Sequence, residues 1–150
     1  MIGGRILVAV DGSPACAAAL GQAVRLARQD DGALTGLFVL DAGWADFIGS
    51  DWQSSRGARQ GFLDHVGREQ EEQAQAARAQ FETAAAGLSG ARFLVLAGDP
   101  ASVLLERLAS PDTDLLIFAR RTFQVSGRPS LKTLAARLAK RGTGALLLMP

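Results

Sequence analysis

The sequence predicts a single doubly wound α/β domain, and three observations carry that expectation. Its apolar runs are short and lack alternation, as in Arg5-Ile6-Leu7-Val8-Ala9-Val10 and Leu115-Leu116-Ile117-Phe118, so they read as strands buried on both faces of a parallel sheet. Segments of helical period separate them. Two of the strand-to-helix junctions, Asp11-Gly12-Ser13-Pro14 and Gly98-Asp99-Pro100, are short, polar and rich in helix-start residues. Five strands alternating with four helices give an open, Rossmann-like parallel sheet with helices on both faces.

The first strand, Arg5 to Val10, ends on Asp11, where Gly12 permits a positive φ and Ser13-Pro14 supply an N-cap and a first helical residue. In an open α/β sheet this carboxyl end is where ligands sit. The helix runs from Pro14 or Ala15 to about Gln29, with Cys16, Leu20, Ala23, Val24 and Ala27 on its packing face. Cys16 reads as a small buried apolar residue, since no His or Asp pattern nearby would activate its thiol. Asp30-Asp31-Gly32 ends that helix, and a second strand, Ala33 to Leu40, completes a right-handed βαβ unit.

From Asp41 to about Gln60 the pattern dissolves around Trp44, Phe47 and Trp52. A connection this long is either a lid or contact surface, or a segment whose aromatic residues fold back on the sheet edge. A long helix follows from about Gly61 to Leu88, with Phe62, Val66, Ala77, Phe81, Ala84 and Leu88 inward and Arg68 to Gln73 as a solvated face. His65, beside Asp64, is expected to be an exposed helix histidine.

Ala91 to Ala97 is the third strand, and Asp99 caps a helix with Pro100 first and Ala101, Leu104, Leu105 and Leu108 as its stripe. Ser110-Pro111 stops it. The fourth strand, Asp114 to Ala119, leads into a loop, Arg120 to Pro129, and a last helix, Ser130 to Arg141, packed through Leu131, Leu134, Ala135 and Leu138. Lys140 and Arg141 complement the negative end of its dipole. Ala145 to Met149 is the fifth strand.

Composition narrows the function. A chain of 150 residues with 48% hydrophobic and 21% charged residues is one soluble domain over residues 1–150, and a net charge of +1 gives no argument for nucleic acid. A single cysteine excludes an internal disulfide, and one histidine with no cysteine pair leaves no zinc site. No run approaches the ~18 apolar residues of a membrane helix, and no basic segment precedes an apolar one, so an unexported, cytoplasmic protein is expected. Catalysis is not expected. No histidine stands to serve a nucleophile, and the Gly-x-Ser-x-Gly, Gly-x-x-x-x-Gly-Lys-[Ser/Thr] and Gly-x-Gly-x-x-Gly patterns are missing. Specific nucleic-acid binding is not expected either, because the aromatic residues are not interleaved with the arginines.

Ile6-Leu7-Val8-Ala9-Val10-Asp11-Gly12-Ser13, Phe38-Val39-Leu40-Asp41, Gly98-Asp99-Pro100-Ala101 and Thr113-Asp114-Leu115-Leu116-Ile117, in this order and spacing, resemble the universal stress proteins of the UspA type. The resemblance covers the whole chain. It implies a five-stranded parallel sheet in the order 3-2-1-4-5 and a homodimer pairing through the last strand, Ala145 to Met149. Many members of that family bind ATP through a G-x2-G-x9-G-[S/T] motif after the fourth strand, whose glycines let backbone N–H groups reach the phosphates. Here the same register holds Ala119, Thr122 and Lys132, and only Thr133 still matches. Asp11 and Val39 correspond to the family's positions at the ribose and adenine, and each has a structural explanation as well, Asp11 as a turn residue or cap and Val39 as core.

Charge replaces the glycines. No acidic residue follows Asp114, whereas Arg120, Arg121, Arg128, Lys132, Arg137, Lys140 and Arg141 all do. Either Arg120, Arg121, Arg128 and Lys132 grip an anion by side chains, or they are a solvated face balanced by the acidic long helix or a partner subunit. With the glycine cradle lost, the expected function is a stress-response or regulatory protein acting through dimerisation and a protein partner, without ATP held in the family's usual mode. The alternative is an ATP- or AMP-binding regulatory module built on Asp11, Val39, Arg120, Arg121 and Thr133. The unpaired edge of the last strand is the natural dimer seam.

Overall fold

Ile6, Leu7, Val8 and Ala9 have no polar side to offer solvent, and β1 (Arg5–Ala9) accordingly lies at the centre of a parallel sheet with all four buried. The computed structural model describes residues 4–49, 56–123 and 133–150. β2 (Ala33–Asp41) and β4 (Leu115–Ala119) flank β1, and β3 (Arg92–Gly98) and β5 (Leu146–Met149) are the edges. The order β3-β2-β1-β4-β5 is the one expected, with every pairing parallel. The edges are less buried than the sequence suggests. β3 mixes half-buried and exposed positions, with Val95 at 37% exposure, and all four residues of β5 are half-buried. Their apolar runs signal strand, but edge strands keep one flank open.

Right-handed crossovers place α1 (Ala17–Gln29) and the long α3 (Arg56–Ala84) on one face of the sheet, with α4 (Pro100–Ala109) and α5 (Leu134–Arg141) on the other. The apolar faces of α1 and α5 are buried as their spacing predicts, and Asp99 caps α4 by accepting from Ser102 N at 3.0 Å. Pro14–Cys16 form a 3₁₀ turn ahead of α1, and Ser13 does not cap it; its hydroxyl turns back to Asp11.

The segment after β2 also departs from expectation. A short α2 (Trp44–Ile48) interrupts it, and α3 begins at Arg56 rather than near Gly61. At 29 residues α3 is about 44 Å long, so its first turns have less of the sheet to lie on. Phe62 is therefore exposed rather than inward, and Trp44 stacks edge-on against Phe47 and Phe62, at 5.6 and 6.0 Å, instead of folding on the sheet edge. Trp52 lies outside the described residues. His65 is exposed and pairs with Glu69 one turn on. Among the described residues no helix is long and apolar enough to cross a membrane.

Two contacts fix the layers. Gly36 lets α3 approach β2: a Cβ there would lie 2.5 Å from the Phe81 ring, which stacks on Phe93 at 5.6 Å. At the opposite corner Arg5 joins β1 to the start of β4, its Nε and Nη2 donating to Asp114 at 3.1 and 3.2 Å while its backbone N donates at 3.0 Å. The Arg5 hydrogen bond holds the Asp114 carboxyl below its ordinary range. Its contribution to stability is thus present at neutral pH and is lost as pH falls through that depressed value.

Gly36→Ala should lower the free energy of unfolding by about 1–3 kcal/mol in a urea titration, since the Phe81 ring must shift. Asp114→Asn should lower the melting temperature at neutral pH and leave it unchanged in strong acid, where wild type has already lost the ion pair.

Candidate functional site

The strand order reverses between β1 and β4, so the crevice at their carboxyl ends is the position where an open α/β sheet takes a ligand. Asp11, at its floor, is only 5% exposed. Its Oδ1 accepts from Ser13 N at 2.9 Å and from Ser13 Oγ at 2.5 Å, and its Oδ2 accepts from Phe123 N at 2.8 Å. The first pair is a turn within the loop after β1. The Phe123 bond crosses the crevice to the loop after β4, and the three donors together compensate a buried charge.

Phe123 is held in the left-handed region at φ 68°, where a bulky residue is an outlier. Its ring is buried, meeting Phe38 of β2 at 5.8 Å and Phe118 of β4 at 6.3 Å. That burial offsets a backbone cost of roughly 1–2 kcal/mol. The turn before it is closed by Thr122 N donating to Ala119 O at 2.9 Å, and Arg120 N donates to Met149 O at 3.0 Å. The N–H groups of residues 120, 122 and 123 are thus all bonded within the chain. The Thr122 side chain is fully buried, and its Oγ1 finds no partner.

α3 covers the other side of the loop. Gly12, at φ 81°, has no room for a side chain, since a Cβ would lie 2.9 Å from Ala76 Cβ. Gln80 donates to Ser13 O at 3.0 Å and accepts from Cys16 Sγ at 3.0 Å. Burial pushes the Cys16 thiol up to about 11, so it is a packed thiol and not a nucleophile. Gln70 binds both backbone groups of Asp41, accepting from its N and donating to its O, so this part of α3 is not the purely solvated face its sequence suggests.

Asp11 and Val39 are both at the carboxyl side of the sheet, Asp11 as a strap and Val39 as core at 2% exposure. Arg120 and Arg121 have exposed side chains on the turn after β4. Thr133 is exposed at the start of α5 and makes no side-chain cap. Arg128 and Lys132, with Leu131 of the expected last-helix face, lie outside the described residues. Thr122 was noted only as the residue in a glycine position of the motif register, and Phe123 was missed; a lone aromatic residue in a mostly polar loop was the available signal. No group of three His, Cys, Asp or Glu side chains among the described residues could hold a metal.

An open parallel sheet with a crevice where its strand order reverses defines the doubly wound α/β class of proteins. The chain belongs to the Universal stress protein family, whose profile matches residues 4–139. Its fold is that of solved members. The universal stress protein UspA from Lactobacillus plantarum is 19% identical at a TM-score of 0.68, with 97% of each chain covered. A universal stress protein in complex with cAMP is 16% identical at 0.60, covering 99% of this chain and 98% of that one. The protein from Archaeoglobus fulgidus in complex with dAMP is 14% identical at 0.60, with both chains fully covered at 100%. A search of curated sequences gave no significant match.

Asp11→Ala leaves the Phe123 N–H and the Ser13 groups without their acceptor and should destabilise the fold by about 1–3 kcal/mol in urea unfolding. Cys16 should react with a thiol reagent at neutral pH only as fast as the protein opens, and faster on addition of sub-denaturing urea.

Proposed function

We propose that this member of the Universal stress protein family is a non-catalytic stress-response or regulatory protein of the cytoplasm, a homodimer through β5 that acts on a protein partner and does not hold ATP in the family's usual mode. One observation carries the reading. The Asp11 carboxylate is committed to Ser13 and Phe123, and the backbone N–H groups of residues 120, 122 and 123 are bonded internally, so none of these groups presents itself to a nucleotide. Cβ atoms at Ala119 and Thr122, both fully buried, occupy positions where the glycine motif would leave space.

Dimerisation through β5 is supported by its half-buried residues Leu146 to Met149 and by its position at the sheet edge, where β4 is its strand neighbour. An edge of this apolar character is a template for pairing. The second reading, an adenine-nucleotide module gripped by arginines, draws on the cAMP and dAMP complexes of the related structures and on the exposed Arg120 and Arg121. In that case ligand binding must displace the Asp11–Phe123 bond.

A thermal-shift titration separates the two. A ligand that binds only the folded protein adds RT ln(1 + [L]/Kd), about 2.7 kcal/mol at a hundredfold excess over Kd. The expected result is no shift with millimolar ATP or AMP. A shift that Arg121→Ala removes would establish the arginine-based nucleotide site and overturn this reading. For the dimer, sedimentation velocity should give a dimer for wild type and loss of the dimer or of the fold for Leu147→Asp; a wild-type monomer, or a Leu147→Asp variant that stays folded and dimeric, would overturn the seam.

A further inference from the structure

We infer that the amino end of the sheet, opposite the crevice described above, is a binding site for a small oxyanion of the phosphomonoester class. A cavity of about 250 Å³ lies there beneath the end of α4 and the turn into β4. Its floor is a row across the sheet, because Leu7 is in register with Thr35 and Thr35 with Arg92. Arg107, from the last turn of α4, and Asp112 and Thr113, from the following turn, form the opposite wall.

The polar groups of this cavity are unevenly satisfied. Arg5 is bound by Asp114 and lies 3.7 Å from Asp112, so it is a neutralised wall. Arg92 and Arg107 have no carboxylate or hydrogen-bond partner among the described residues, and the hydroxyls of Thr35 and Thr113 likewise make no side-chain hydrogen bond. Two planar guanidinium forks and two hydroxyls around one space suit an oxyanion with several acceptor oxygens. Two features oppose it. The carboxyl end of α4 carries partial negative charge, and Asp112 adds one carboxylate, but the Asp112 side chain is 85% exposed and the helix end counts for about half a charge against two unpaired cations.

Size sets the ligand class. The cavity is below the roughly 300–1,000 Å³ of pockets for drug-sized ligands, so it matches a phosphate on a short carbon chain better than a whole nucleotide. The site shares no residue with the Asp11 crevice and stands whether or not that crevice is closed to nucleotides.

The test is a calorimetric titration of the full chain with glycerol 2-phosphate and, separately, inorganic phosphate, at low salt. Saturable one-to-one binding of the ester is expected, with inorganic phosphate competing for it. Arg92→Gln and Arg107→Gln should each weaken binding at least tenfold, since each removes a charge-assisted pair, and Arg137→Gln on the exposed side of α5 should leave it unchanged. Arg92→Lys and Arg107→Lys, which keep the charge without the fork, should fall between wild type and the glutamine variants and serve where a glutamine variant melts early. Absence of saturable binding, failure of phosphate to compete, survival of binding in either glutamine variant, or equal weakening by Arg137→Gln overturns the site.

Discussion

The buried carboxylate of Asp11 is the constraint from which the carboxyl side of the fold is organised. A charge at 5% exposure is tolerable only with donors around it, and here they come from two loops separated by most of the chain. Satisfying Asp11 therefore fixes the loop after β1 and the loop after β4 relative to one another. The same requirement brings in α3, which lies so close over Gly12 that only glycine fits, and whose Gln80 binds the carbonyl of Ser13. One acidic side chain thus couples both connections at the reversal of strand order to the longest helix.

The two ends of the sheet differ in consequence. At the carboxyl end, polar backbone groups and the carboxylate satisfy each other, and an aromatic ring packs over the strand ends. At the amino end, Arg5 and Asp114 close the gap between β1 and β4, while Arg92 and Arg107 line a cavity and have no carboxylate partner among the described residues. In open α/β sheets the carboxyl end is the usual ligand position because helix N-termini and loop N–H groups point there. Here the N–H groups of residues 120, 122 and 123 are engaged within the chain, and the side chains of the amino end are the ones that line a cavity.

How much of this was legible in the sequence follows from how local each feature is. Continuous apolar runs located all five strands, and Asp99-Pro100 gave the start of α4, because burial on two faces and capping are written in adjacent residues. The fate of Ser13 was less legible: a serine before proline reads as a cap, yet the carboxylate two residues earlier competes for the same hydroxyl and wins. The start of α3 was misplaced because Arg56 to Gln60 carry no apolar period, so tertiary context and not patterning decides their state. The Asp11–Phe123 strap was invisible, since it joins residues 112 apart and depends on a φ that a phenylalanine seldom adopts.

That conformation ties the start of the loop after β4 to Asp11 and to the aromatic core. A phosphate cradle needs backbone N–H groups that point outward and have no internal acceptor. In this chain the N–H of Thr122 turns back to Ala119, that of Arg120 extends the sheet to Met149, and that of Phe123 meets Asp11. A glycine at 123 would take the left-handed φ without strain but would leave the space between Phe38 and Phe118 unfilled, and the strap would rest on one hydrogen bond alone. Phenylalanine makes the opposite trade: about a kilocalorie or two of backbone strain is set against the burial of a full aromatic side chain, worth roughly 1.5–3 kcal/mol, so the Asp11–Phe123 strap is favoured by packing as well as by charge.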